Sequence, residues 1–307
     1  MDFRVKIFLA VARHRQLTEA SRQLNMAAST VSEHVSALEA EIGAGLFVRT
    51  NRGMRLTEAG QRFFQAAQII EGQWHSALRE VPLIASGTHR IDLAASQTAI
   101  ELFLPPPLGR FRERFPEVPI HLTMANTSEV LQQVAAGLVD MGLVEGGMVH
   151  GSLQAVNLWH DALVLVVSQR HPVAAEDRVM VDTLVDLDWI LREPGSGTRA
   201  TFERALGRAG WSTDSLKIIM ELSSLRAILS MVANNVGVSV VSRAIAESGV
   251  LHEGIRAITI DGLALERHIQ LVRRRHGAHS TAAGSLMQML VEDAESKDRH
   301  RLRAEPR

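Results

Sequence analysis

Apolar residues recur at helical spacing in two adjacent segments near the N-terminus. In the first segment Leu17, Ala20 and Leu24 recur three or four apart, and Thr18 is placed to cap a helix. The second segment carries a stripe with the same spacing, formed by Val31, Val35, Leu38 and Ile42. The pattern over residues 16–43 therefore predicts two short helices joined by a tight turn.

The second helix offers small or polar side chains on the face opposite its apolar stripe. A helix that packs on one side and presents short polar groups on the other suits the major groove of DNA. An ordinary helical hairpin shows the same pattern, so this alternative stays open from these residues alone. The candidate DNA contacts of the two helices are Thr18, Ala28, Ser29, Thr30, Ser32, Glu33 and His34.

A turn signal at Asn51–Gly53 separates two short apolar runs within residues 46–57. The arginines that flank this turn are Arg49, Arg52 and Arg55. This pattern predicts a β-wing whose guanidinium groups reach phosphates beside the second helix. Residues 1–60 hold eight Lys and Arg against six Asp and Glu, so the motif carries this interpretation and the net charge adds little.

Residues 8–60 resemble the winged helix-turn-helix of LysR-type transcriptional regulators. The V-S-x-x-V-x-x-L-E recognition helix and the G-x-x-L-F-x-R start of the wing match in order and spacing. The order of the later elements is also similar, so the resemblance covers nearly the whole chain. It implies binding to an inverted repeat in double-stranded promoter DNA, a small-molecule effector, and assembly of the chain with itself as a homodimer or tetramer.

The chain departs from this family at the start of the recognition helix. Ala27, Ala28 and Ser29 stand where members usually have Ser-Gln-Pro, and Glu33 stands where Arg or Lys is common. The missing glutamine removes an amide that could read adenine, and Glu33 could accept a hydrogen bond from cytosine N4 or repel phosphate. The departure leaves the base sequence of the operator open.

The composition is that of a globular protein of two or three domains: 307 residues, 46% apolar and 22% charged, with a formal net charge of −1. The absence of cysteine excludes disulfides and cysteine–zinc sites. We find neither a signal-peptide pattern nor an apolar run of about 20 residues, so we expect a cytoplasmic protein with no membrane partner. No G-x-S-x-G, H-E-x-x-H or P-loop motif occurs, and the histidines lack metal-ligand spacing. We therefore assign no catalytic residue, metal or cofactor.

A long helix is predicted after the wing, with Thr57 as its cap and a hinge at Ser86–Thr88. Apolar residues follow alternating steps of four and three along it: Phe63, Ala67, Ile70, Trp74, Ala77 and Val81. This is the a/d pattern of a coiled-coil seam, and packing of the helix on its own domain is the alternative. The resemblance implies that the helix pairs two subunits and sets two recognition helices on successive half-sites.

From His89 the pattern changes to alternating strands and helices, and the order repeats once. Two successive βαβ sets predict two parallel-sheet lobes. Crossovers near 160–165 and 265–270 would return the last strand and helix to the first lobe. The resulting α/β architecture is the periplasmic-binding-protein-like effector domain of the resembled family, in which a ligand lies between the lobes.

These patterns divide the chain into four parts. The predicted parts are a winged helix-turn-helix at 1–57, a linker helix and hinge at 58–88, an effector domain at 89–296, and a tail at 297–307. Within the effector domain we expect lobe 1 at 89–160 plus 269–296 and lobe 2 at 161–268. The tail is charged and lacks an apolar stripe, so we expect it to be disordered.

Ligands in such sheets bind beyond the carboxyl ends of strands, at the starts of helices. Polar residues at three of these positions are Ser96, Gln97, Thr98, Thr127, Ser128 and Ser224. Hydroxyls, unpaired backbone N–H groups and the helix dipole would make each an anion seat. Plain helix capping explains the same residues without a ligand.

A fourth position is the segment R-E-P-G-S-G-T-R, which resembles the branch of the family linked to carbon fixation and sulfur assimilation. Its candidate residues are Arg192, Ser196, Gly197, Thr198 and Arg199. Glycine lets the backbone bend close to a ligand, and the arginines add positive charge, so we expect a small anionic effector. Glu145 could receive a cationic or hydroxyl group, or pair with an arginine. A solute-binding protein without DNA binding is the main rival to a regulator.

Overall fold

The computed structural model describes residues 1–50, 53–86, 90–147, 151–248, 254–275 and 280–304. Contacts divide the chain into an N-terminal unit, residues 1–88, and a C-terminal unit made of most of residues 89–307. Within the described residues, we find no helix that combines the length and apolarity needed to cross a membrane.

Three helices form the core of the N-terminal unit: α1 (Phe3–His14), α2 (Leu17–Leu24) and α3 (Ala28–Ile42). The predicted stripes of α2 and α3 face inward, with Ala20 and Val31 fully buried against Ile7 of α1. One expectation was wrong in detail: Gln16, not Thr18, is the N-cap of α2, and Thr18 lies inside its first turn. The two-helix motif itself is confirmed.

The wing consists of β1 (Phe47–Thr50) and β2 (Gly53–Leu56), which pair antiparallel. Glu39 of α3 ties it to the recognition helix, because its carboxylate accepts the N–H groups of Leu46 at 2.6 Å and Phe47 at 3.1 Å. On the other side, Met54 donates its N–H to the carbonyl of Arg15 at 2.7 Å. The turn residues 51 and 52, with the candidate Arg52, lie outside the described residues.

The long helix α4 runs over Glu58–Ser86, and the hydroxyl of Thr57 accepts the Gly60 N–H at 2.9 Å, as expected of its cap. The predicted seam divides into two parts. Phe63 packs edge-on against Phe8 with ring centroids 4.9 Å apart, and Ala67 is fully buried in the same core. These two residues therefore pack within the unit, as the alternative interpretation has it. The later positions, Ile70, Trp74, Ala77 and Val81, are exposed. Of the proposed hinge, residues 87 and 88 are not described.

In the first lobe β3 (Ile91–Ala95) pairs parallel with β4 (Ile120–Met124) and β5 (Met141–Glu145). The helical segment after β3 is broken into a π-helical turn at Ala99–Phe103 and α5 (Pro105–Arg114). The three prolines at 105–107 explain this break, since proline is tolerated only in the first turn of a helix. Helix α6 (Thr127–Ala135) connects β4 to β5.

The second lobe is built on β6 (Leu153–Ser168). The C-terminal part of this strand pairs antiparallel with β10 (Ser239–Ser242) and with β11 (Ile255–Asp261). The strands β8 (Asp188–Arg192) and β9 (Lys217–Leu222) pair parallel, and α7 (Gly197–Arg208) lies between them along the chain. Apolar clusters cover both sheet faces, one around Trp189 and Phe202 and the other around Ile190 and Ile228. The remaining elements are β7 (Arg178–Met180), α8 (Leu225–Ala233) and α9 (Arg243–Glu247).

Strands β6 and β12 (Glu266–Arg274) pass between the lobes and pair antiparallel over most of their length. In β6, residues up to Ala162 pair with β12, and residues from Leu163 on pair with β10 and β11. The change falls inside the range in which the sequence predicts a crossover. The two-lobed α/β fold is thus confirmed, with its last strand and helix returned to the first lobe. The expectation of parallel sheets is wrong for the strands that pass between the lobes, because β6 pairs antiparallel with β10, β11 and β12, and β12 pairs antiparallel with β5.

The closing helix α10 runs over Thr281–Ala304. The expectation of disorder from Lys297 on is therefore wrong for residues 297–304. Asp293 explains the continuation: it accepts the indole N–H of Trp159 at 2.9 Å, contacts Arg110, and pairs with Lys297 at 3.2 Å. Burial raises the pKa of Asp293, but these partners outweigh it and hold its pKa below the ordinary value. Residues 305–307 lie outside the described part.

We predict that Gly53→Ala destabilises the N-terminal unit more than Gly43→Ala does. Both glycines have positive φ, +116° and +75°, which costs about 1–2 kcal/mol for a residue with a side chain. A Cβ at Gly53 would also lie 2.2 Å from the Arg15 carbonyl, whereas Gly43 faces open space. Hydrogen exchange of α1 and α3 in the two variants measures the difference. Equal protection in both would contradict this account of how the wing is seated.

Candidate functional site

The recognition helix presents its candidate residues on the face opposite the core. Ser29 and Glu33 are exposed, and Ser32 is half-buried, one turn from the buried Val35. The His34 ring packs edge-to-face with Phe3, with ring centroids 5.8 Å apart. Part of the imidazole is therefore in contact with α1. Short side chains on an exposed helix face leave room for the edges of bases.

The wing places positive charge beside this helix. The Arg49 guanidinium lies 3.5 Å from the hydroxyl of Ser32, and Arg55 is exposed on the neighbouring strand. Thr18, also exposed, lines a shallow depression with Arg49 and Gly53. Arg49 therefore lies close to both Ser32 of α3 and Thr18 of α2, whereas the strand register places Arg55 on the other face of the wing.

In the C-terminal unit the two lobes meet at the R-E-P-G-S-G-T-R segment. The carbonyl of Gly195 accepts the N–H of Ser128 at 3.1 Å. A Cβ built on Gly197 would lie 2.6 Å from the Thr127 hydroxyl and 2.8 Å from the Glu145 carboxylate. The start of α7 thus contacts α6 and the end of β5 so closely that only glycine fits at position 197.

Beneath this contact lies a buried ion pair that the sequence analysis missed. Arg267 donates from Nε to Asp161 at 2.7 Å and from Nη1 to the Thr198 hydroxyl at 3.0 Å, while Ser242 donates to Asp161 at 2.7 Å. The side chains of Arg267 and Asp161 are each only 1% exposed. Asp161, which directly precedes the apolar run Ala162–Val167, was one signal; Arg267 stands among several charged residues of β12, so the sequence alone did not single it out.

Arg267 also acts on the candidate Glu145. Burial raises the pKa of the Glu145 carboxyl. The Arg267 charge and the hydrogen bonds from Thr127 and Thr98 together lower it by more, so the pKa of Glu145 lies below its ordinary value. The hydroxyl of Thr127 is 2.8 Å from the carboxylate. One donor of Arg267, Nη2, is buried and has no hydrogen-bond partner among the described residues.

The two candidate arginines are already paired with acidic neighbours. Arg192 binds Glu193 at 2.8 Å, and Arg199 binds Glu203 at 2.7 Å and also contacts Glu221. These carboxylates offset the charge that the sequence analysis expected the arginines to lend to an anion. The cation that lies buried against Thr198 and acts on Glu145 is Arg267.

Helix capping accounts for several hydroxyl candidates. Ser96, Ser196 and Ser224 each accept the N–H of the residue three positions on, at 3.3, 3.5 and 3.3 Å. Gln97 bridges the lobes by accepting the Leu225 N–H at 3.3 Å. The structure therefore brings Thr98, Thr127, Glu145, Gly197 and Thr198 together around Arg267. No group of side chains in the described ranges has the arrangement of a metal site.

A winged helix-turn-helix on one chain with a two-lobed α/β body defines a DNA-binding regulator with a ligand-sensing domain. Family profiles agree over nearly the whole chain. The LysR substrate binding domain matches residues 85–295, and the bacterial regulatory helix-turn-helix protein, lysR family, matches residues 4–61. The chain belongs to the LysR family of transcriptional regulators.

Relatives with assigned names lie in the branch that the sequence analysis indicated. The chain is 28% identical to the RuBisCO operon transcriptional regulator of Allochromatium vinosum, over 94% of this chain and 95% of that one. It is 28% identical to the HTH-type transcriptional regulator CysL of Bacillus subtilis, over 87% and 89%.

Solved structures confirm the fold. The LysR family regulator CbnR matches with a TM-score of 0.59 at 21% identity, over 96% of this chain and 99% of that one. The regulatory domain of Synechocystis CcmR in complex with 2-PG matches with a TM-score of 0.62 at 23% identity, over 68% of this chain and 98% of that one.

Proposed function

We propose that this regulator binds a small anionic metabolite between its two lobes and that the metabolite modulates its binding to promoter DNA. The observation that supports this most is the buried cation Arg267, whose Nη1 donates to the Thr198 hydroxyl and whose Nη2 has no hydrogen-bond partner among the described residues. A buried guanidinium with an unused N–H favours an anion at that position. CcmR, a neighbour in fold, has been solved with 2-PG, an anionic ligand.

DNA contact is assigned to the exposed side of α3 and to the wing. Ser29, Ser32 and Glu33 face outward and would read base edges, while Arg49 and Arg55 would contact phosphates. The neighbouring positions in the same proposed surface are Thr18, Ala28, Thr30 and His34. Arg52 belongs to the proposal from the sequence alone.

Self-association is assigned to the later half of α4. Trp74 is 43% exposed and Val81 64% exposed, and they follow Ile70 at a/d spacing along a helix whose early half packs on its own unit. A stripe of large apolar side chains left open in a single chain favours a second copy as its partner. Two copies would present two recognition helices to an inverted repeat.

The mechanism we infer is linkage between the effector and the DNA. An effector shifts the balance between two arrangements of the subunits only by its differential affinity for them. Binding between the lobes would favour one arrangement and change the spacing of the DNA-binding units. We propose that this takes place in the cytoplasm and assign no catalytic step to the chain.

We predict that Arg49→Ala and Arg55→Ala weaken binding to all DNA sequences alike, because each removes a phosphate contact. Each should reduce the slope of log affinity against log salt by about one unit. Ser32→Ala and Glu33→Ala should instead change the preference among operators. The assay is fluorescence anisotropy with an inverted repeat selected from a random library, with Arg178→Ala in the C-terminal unit as control. Unchanged affinity and preference in all four variants would exclude this surface.

Trp74→Glu should break the assembly. A charge in a buried seam costs several kcal/mol, so sedimentation should show smaller species and lower affinity for the two-part operator. Gln65→Glu introduces the same charge at an exposed position of α4 and should leave the oligomer intact. An oligomer of unchanged size in the Trp74 variant would mean that this stripe does not hold the subunits together.

Thr198→Val should weaken anion binding, because it removes a hydroxyl that lies on the Arg267 guanidinium. The loss of a hydrogen bond to a charged group, roughly 1.5–3 kcal/mol, corresponds to an affinity lower by about tenfold to a hundredfold. Thr201→Val is the matched control, since Thr201 is a buried threonine of the same helix whose hydroxyl has no partner among the described residues. Calorimetry with sulfate and with 2-phosphoglycolate, the 2-PG of the CcmR complex, measures the effect, and equal affinities in the two variants would place the anion elsewhere.

A further inference from the structure

We propose that the Glu145 carboxylate occupies part of the anion seat and competes with an anionic effector for the donors of the cleft. The inference rests on the proposed function, since it concerns how that ligand enters the same site. Three observations carry it: the use of the hydroxyl protons, the space at Gly197, and the charge of the buried cluster.

The hydroxyl groups that would donate hydrogen bonds to an anion already form hydrogen bonds with Glu145. Thr127 donates to its Oε2 at 2.8 Å, and Thr98 forms a second hydrogen bond with the carboxylate. A threonine hydroxyl has a single proton to donate. An anion can therefore take these donors only when Glu145 releases them.

The carboxylate also fills the space at the start of α7. A Cβ on Gly197 would meet Glu145 Oε2 at 2.8 Å and its Cβ at 2.7 Å, so the backbone of one lobe lies directly on the side chain of the other. In this arrangement Glu145 stands where a ligand would bridge α6 and α7. An effector that separates the lobes removes this contact.

The charges around Glu145 do not balance. The charge of Arg267 acts on Glu145 from β12, and the uncharged hydroxyls near it belong to Thr98, Thr127 and Thr198. A second cation, the exposed Arg204 of α7, contacts the carbonyl of the adjacent Gly146. Arg267 is itself bonded to Asp161 at 2.7 Å, so that carboxylate already offsets much of the positive charge that acts on Glu145. A bound anion would add a third negative charge to a buried site, where repulsion is weakly screened.

Protonation of Glu145 removes this conflict, so binding of the anion should be coupled to uptake of a proton. In the free protein the pKa of Glu145 lies below its ordinary value, and the carboxyl is ionised near neutral pH. A bound anion raises that pKa. Affinity therefore increases as the pH falls below the pKa of the bound state, by up to about tenfold per pH unit, until the pH reaches the lower pKa of the free protein.

The test is calorimetric titration of the full chain with sulfate, whose own charge is constant between about pH 5.5 and about pH 8. We expect wild-type affinity to rise as the pH falls, with proton uptake visible as a dependence of the heat on the buffer. Glu145→Gln should bind sulfate at least tenfold more tightly than wild type at the higher pH and lose the pH dependence. Glu113→Gln removes an exposed carboxylate of α5 in the same lobe and should behave as wild type.

The outcomes separate the two proposals. Binding with equal affinity and equal pH dependence in wild type and Glu145→Gln would overturn the competition and leave an anion site intact elsewhere. Absence of binding by every variant, to sulfate and to 2-phosphoglycolate alike, would overturn the anionic effector itself and the competition with it. Circular dichroism of Glu145→Gln at both pH values shows whether the variant is folded.

Discussion

The ion pair between Arg267 and Asp161 is the interaction on which the C-terminal unit depends. It joins the two strands that pass between the lobes, and both side chains are almost wholly buried. Removal of one partner would leave an uncompensated charge in the interior, which costs far more than the pair itself contributes. The same guanidinium reaches Thr198 of the second lobe and acts on Glu145 of the first. The crossing of the chain and the chemistry of the cleft are therefore set by one residue.

The cleft combines attraction and repulsion for the same class of ligand. Within the part of the chain that the structure describes, Arg267 has one donor without a partner, while Asp161 binds it and the Glu145 carboxylate is near enough to respond to its charge. A site of this kind binds a ligand only when the gain in new hydrogen bonds exceeds the cost of rearranging the old ones. In the proposed site, the affinity for an anion is thus lower than the donors alone would allow.

Much of the fold follows from local patterns in the sequence. The apolar stripes of α2 and α3, the turn signal of the wing and the alternation of strands and helices can each be recognised from short stretches of sequence. Each of these predictions agrees with the structure. The failures arise where distant contacts decide. Lys297 has no apolar stripe around it, yet Asp293 and Trp159 hold that turn of α10 in place. Arg267 and Arg199 look alike as sequence letters, and only tertiary contacts show that the first is the cleft cation and the second is bound to Glu203.

Glu39 has a consequence for how the operator is read. Its carboxylate accepts hydrogen bonds from two successive backbone N–H groups at the start of the wing. These bonds hold the recognition helix and the wing in a fixed relative position. Neither part can be adjusted alone to suit a different half-site. The N-terminal unit therefore fixes which base pairs of the operator are recognised. A metabolite can then change only the distance and angle between the N-terminal units of two subunits.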